Sequence, residues 1–117
     1  MPFRALVAKE LSELLGVLSH AQRIRIVEEL REGEQDVKSL QAALGISHSG
    51  VSQHLMQMRA HRLVNERREG RQVFYRLRDP GLAAWLTEAT RFIEEDRDEA
   101  ARLRNAIKKA RNAWTAS

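Results

Sequence analysis

Apolar residues recur along the chain with two different periods. Leu6, Val7, Leu11, Leu14, Leu15 and Leu18 fall at helical spacing, so residues 3–18 predict an amphipathic helix. Ser19 reads as the N-cap of a second helix, with Gln22 three residues on completing a capping box. Ala21, Ile24, Val27 and Leu30 form that helix's expected buried face, and Gly33 its end. Asp36 is the expected cap of a short third helix with Val37, Leu40 and Leu44 as its apolar stripe, stopped by Gly45. Ser47 is a further N-cap candidate, and a fourth helix runs from about His48 to Arg59. Two short helices joined by a tight turn containing glycine are the helix-turn-helix signature.

After Leu63 the period becomes two. Val73, Tyr75 and Leu77 alternate with polar or exposed positions and predict a strand over 72–77; Val64 to Arg68 can pair with it across Glu69-Gly70. A hairpin directly after the fourth helix makes a winged helix-turn-helix, mostly α with a small β-hairpin. Asp79-Pro80 then starts a last helix reaching about Trp114. Along it Leu86, Ala89, Ile93, Asp96, Ala100, Leu103, Ile107, Ala110 and Trp114 form a heptad-type seam with Asp96 as its polar interruption. The acidic run Glu94, Glu95, Asp96, Asp98 and Glu99 marks the expected bend or division. A seam of that kind on so long a helix implies a partner helix.

Charge sharpens this picture. The chain has 117 residues and a net charge of +4, yet residues 59–78 alone carry seven arginines against Glu66 and Glu69, a net of +5. Arginine forks onto phosphates and base edges, and a local basic patch is the footprint of a nucleic-acid binder. On the fourth helix, at about 100° per residue, Val51, Leu55 and Met58 form a core stripe. Ser49, Gln53, Met56 and Gln57 point away from it. Ser49 and Gln53 are the base-reading candidates, since the glutamine amide matches the adenine edge. Ser47, His48 and Ser52 suit phosphate contact, as does Arg59 at the rim. For His54, beside the core stripe, DNA contact and a local hydrogen bond are both open. Arg67, Arg68 and Arg71 are the wing's phosphate-binding candidates.

The stretches LSHAQRIRIVEEL and DVKSLQAALGISHSGVSQHLMQMRAHRLVNERREGRQVFYRL resemble the ArsR/SmtB family of small bacterial winged-helix repressors over roughly residues 11–80. The resemblance implies a homodimer on an inverted-repeat operator, released by an inducer that is often a metal or metalloid. It implies a DNA-binding unit over 1–79 containing an N-terminal dimerisation helix, and a C-terminal dimerisation helix over 80–117 of the same domain, with Leu6, Leu14, Leu86, Ile93, Leu103 and Ile107 as the expected dimer contacts. It also implies that Ser47 through His54 lie on the recognition helix and Glu69-Gly70-Arg71 at the wing tip. Three departures stand out. The third helix lacks a cysteine metal motif, no histidine follows His61, and Arg62 stands where the family usually has glycine.

Other classes fare worse. There is no cysteine, which removes disulfides, thiolate metal sites and thiol nucleophiles. None of the histidines at 20, 48, 54 and 61 form an i, i+4 chelating pair. No metal and no cofactor are therefore expected; an unidentified small-molecule inducer is compatible with the sequence. Nothing suggests an enzyme. A cytoplasmic protein is expected, because Lys9, Glu10 and Glu13 interrupt the N-terminal apolar stretch and no run reaches the ~20 apolar residues of a membrane span. The alternatives are a winged-helix protein-interaction module and a non-specific architectural DNA binder.

Overall fold

The computed structural model describes residues 2–116; within α6, defined below, nothing is said of the side chains of 95–97, 115 and 116. The elements are α1 (Pro2–Val17), α2 (Ala21–Glu29), β1 (Gln35–Asp36), α3 (Val37–Leu44), α4 (His48–Ala60), β2 (Val64–Glu69), β3 (Gln72–Leu77), α5 (Gly81–Ala89) and α6 (Arg91–Ala116). Two compact units meet in the chain at Ala84–Trp85, inside α5.

In the first unit, α2, α3 and α4 pack around Ile26, Val27, Leu30, Leu40, Leu44, Val51, Leu55 and Met58, all buried. Burying each such side chain contributes about 1.5–3 kcal/mol. The three-residue turn 45–47 sets α3 against α4 as expected. Gly45 closes α3 in the left-handed region at φ 68°. The Asp36 carboxylate accepts from the Ser39 N–H at 2.8 Å, and the Ser47 hydroxyl accepts from the Gly50 N–H at 3.1 Å. Each cap satisfies an amide that the helix start leaves without a partner.

Several local expectations are corrected. His20, not Ser19, occupies the α2 cap and makes no side-chain cap bond; Gln22 does not reach back, and its Oε1 is buried without a partner. α2 buries Ile26 and Val27, and Leu30 is buried at its C-cap, while Ala21 and Ile24 are exposed. Packing against α3 and α4 selected a face rotated from the expected one. α2 also stops at Glu29, before Gly33.

The sheet has three strands in the order β1-β3-β2, all antiparallel. β1 was not expected. Gln35 and Asp36 pair with Tyr75 and Phe74, so the wing is anchored to the α2–α3 connection. β2 runs one residue further than expected, and the turn is Gly70-Arg71 between the Glu69–Gln72 pair. Gly70, at φ 61°, takes the positive φ that the first position of a two-residue hairpin turn demands.

In the second unit the expected single helix is divided, but at Thr90 rather than within the acidic run. Thr90 Oγ1 donates to the Thr87 carbonyl at 2.6 Å, and a hydroxyl bonded back to its own helix competes with the regular ladder. α6 then runs unbroken from Arg91 to Ala116. The side chain of Asp96, the expected seam interruption, lies outside the described residues. Among the described residues no helix is long and apolar enough to cross a membrane.

Candidate nucleic-acid interface

α4 presents two faces. Val51, Leu55 and Met58 are wholly buried, which fixes the helix's rotation. Ser49, Gln53, Met56 and Gln57 are exposed on the other side. Ser47 and His48 stand exposed at its start; Ser52 is half-buried. The Ser49 hydroxyl lies 3.2 Å from that of Ser47. Gly50 leaves a low spot where an added Cβ would come within 3.2 Å of the Ser47 hydroxyl.

His54 is half-buried. Its Nδ1 accepts from the Arg23 Nε–H at 3.1 Å, while Arg23 Nη1 donates to the Val17 carbonyl at 3.0 Å. His20 faces it with ring centroids 6.0 Å apart. Burial first, then the charge of Arg23 and the nearby His20, hold the His54 imidazole below its ordinary value. The structure thus supplies the local hydrogen bond for His54, on the side of α4 that meets α2.

The wing arginines divide into two groups. Arg67 is gripped by both oxygens of Glu34, the Nε donating at 3.0 Å and 3.2 Å, and by Glu69 at 2.9 Å. Its guanidinium also lies 4.6 Å from the Phe74 ring centroid. Pairing with Arg67 keeps the Glu34 carboxyl below its usual range and raises Arg67 above its own. Glu66, on the opposite face of β2, accepts from Arg59 at 2.9 Å, from Arg68 at 3.0 Å and from the Tyr75 hydroxyl at 3.1 Å. The hydrogen bond from Arg68, then that from Tyr75 and the charge of Arg59, hold Glu66 low. Burial and the Glu66 charge push the Tyr75 phenol up.

So three of the four arginines expected at phosphates, Arg59, Arg67 and Arg68, already have carboxylate partners. Among the described residues, Arg71 at the wing tip alone of the four has none. Among the described residues no carboxylate lies within 4.0 Å of Arg62, Arg71, Arg76 or Arg78. Arg71 and His48 share a cleft of about 220 Å³ with Asp36, Lys38, Gln72 and Val73. Lys38 and Gln72 were missed from sequence; their only signal was adjacency to the α3 cap and to the wing turn. Among the described residues no three of His, Asp and Glu are grouped to hold a metal ion.

A buried-backed helix with a polar outward face, a tight turn before it and a cationic hairpin after it define a winged helix-turn-helix protein. Residues 20–66 match the family described as bacterial regulatory protein, arsR family. The chain is 42% identical over 84 residues to the HTH-type transcriptional repressor SmtB of Mycobacterium tuberculosis, covering 72% of this chain and 62% of that protein. It is 40% identical over 82 residues to the biofilm growth-associated repressor of Xylella fastidiosa, covering 70% and 71%. The crystal structure of the transcriptional repressor BigR from Xylella fastidiosa superposes with a TM-score of 0.68 at 37% identity, over 79% of this chain and 93% of that one. The chain belongs to the arsR family of bacterial transcriptional regulators, and spans less than two thirds of the length of the SmtB relative it matches.

Proposed function

We propose that this protein is a sequence-specific DNA-binding transcriptional repressor that works in the cytoplasm as a homodimer on an inverted-repeat operator. One observation carries the reading: Ser49, Gln53 and Gln57 stand exposed on α4 directly opposite a stripe that is wholly buried. A helix held that rigidly by its back can offer side chains to base edges at fixed positions. Arg71, with Lys38 in the same cleft, supplies charge for the backbone and His48 a hydrogen-bonding ring, beside the capping carboxylate of Asp36, and phosphate contacts set register while base contacts set sequence. The repressor descriptions of SmtB and the Xylella protein support repression rather than activation.

The dimer reading rests on apolar side chains that a lone chain leaves in water. On α1, Leu6 is 57% exposed and Leu11 49%; on α6, Ile93, Leu103 and Ile107 are exposed. Leu14 and Leu86 are half-buried. A partner copy would cover such faces. The reading includes no bound metal or other cofactor and assigns no inducer.

The test is Gln53→Ala. Against a duplex selected by the wild-type protein from a random pool, this variant relaxes discrimination at one base position by about 1–3 kcal/mol. Equal loss on selected and scrambled duplexes would reject a base-reading role.

A further inference from the structure

Glu66 places a negative charge inside the surface that should attract phosphates. Its side chain is only 12% exposed. One carboxylate oxygen accepts from Arg59 of α4 and Tyr75 of β3, the other from Arg68 of β2. A single carboxylate thereby joins the recognition helix to both strands of the wing. It also engages two of the seven guanidiniums of residues 59–78 in an internal contact while offsetting one unit of their charge. Those two guanidiniums are held in place, and a phosphate reaching either must share it with Glu66.

We propose that Glu66 is a positioning and specificity-setting residue: its carboxylate fixes the wing relative to α4 and withholds Arg59 and Arg68 from indiscriminate phosphate binding. The proposal rests on the DNA-binding reading above. Each phosphate neutralised by a cationic side chain contributes about 0.9 to the slope of log affinity against log salt. Releasing two arginines steepens that slope for every sequence alike. Affinity for non-cognate DNA rises more than affinity for the cognate site, where the aligned contacts already exist.

Fluorescence anisotropy with wild type, Glu66→Gln, Glu66→Ala and Glu66→Asp tests this across a potassium chloride series. The probes are a duplex selected by the wild-type protein from a random pool and a scrambled duplex of the same composition. Thermal melts by circular dichroism accompany each variant. Glu66→Gln and Glu66→Ala are expected to steepen the salt slope by about one to two. They bind the scrambled duplex roughly five- to tenfold tighter at low salt and lower the selected-to-scrambled ratio. Glu66→Asp, which keeps the charge, stays near the wild-type slope. A discriminating wild type whose folded charge-removing variants keep the same slope and ratio overturns this inference alone, as does an aspartate variant shifted as far as the glutamine one. A wild type indifferent to duplex sequence overturns the DNA-binding reading and this inference with it.

Discussion

The Nε–H of Arg23 on α2 is donated to Nδ1 of His54 on α4, 3.1 Å away. That bond requires a neutral imidazole with its proton on Nε2. Burial, Arg23 and His20 all disfavour the charged ring. Well above the ordinary value of 6.5 the histidine is neutral in folded and unfolded chains alike. As the pH falls below that, the unfolded chain takes up the proton first, and stability falls until the folded chain is protonated as well. Thermal melts between pH 5 and 8 should show this loss in the wild type and a shallower one in His54→Gln, whose amide oxygen can accept from Arg23 at any of these pH values. Parallel profiles would contradict the assignment.

Arg62 is held at φ 60° in the left-handed residue that closes α4. The Leu63 N–H reaches back to the Met58 carbonyl at 2.9 Å and the Arg62 N–H to the Arg59 carbonyl at 3.0 Å, a Schellman closure. A residue with a Cβ is strained there. Arg62→Gly should therefore stabilise the protein by about 1 kcal/mol, less what the glycine adds to the unfolded chain's entropy. Urea denaturation at constant m-value checks it; a destabilised variant would show that the guanidinium makes a contact outweighing the strain.

Arg67 and Arg71 lie four residues apart on the wing and should behave differently. Arg71→Ala is expected to reduce the salt slope of DNA binding by close to one and to weaken binding to all duplexes. Arg67→Ala removes a guanidinium already held by Glu34 and Glu69, so its slope changes less and its main effect is a lower melting temperature. Equal slope changes for the two variants would contradict the division.

Charged substitution of the exposed apolar faces tests the assembly. Leu11→Glu and Ile107→Glu should turn a dimer into a monomer by light scattering after size exclusion. A monomer offers one recognition helix instead of two, so operator affinity should fall at least a hundredfold. A wild type that is already monomeric at micromolar concentration would remove the basis for two half-sites.

The parts of this fold legible in sequence are those specified by local chemistry. The caps at Asp36 and Ser47 and the left-handed glycines at 45 and 70 each follow from a residue and its near neighbours, whereas Arg62 was singled out only by the family resemblance. The α4 stripe was legible because Val51, Leu55 and Met58 leave no competing apolar face. α2 offers two, through Ile24 and through Ile26, and only packing against α3 and α4 chooses between them. β1 was hidden because two polar residues have no period; their strand character comes from pairing with residues near 75. The candidate site shows the same limit. Its positive charge was countable, but Glu34 lies 33 residues before the Arg67 it neutralises. Which arginines remain available is thus a property of the folded wing.

The most direct test of the central claim is the wild-type protein's affinity, at fixed salt, for a duplex it selects from a random pool and for the same bases scrambled. The account predicts at least a thousandfold preference for the selected duplex, an inverted repeat within it, and half-sites about one helical turn apart or a multiple of that. Affinities that agree within a few fold would contradict it.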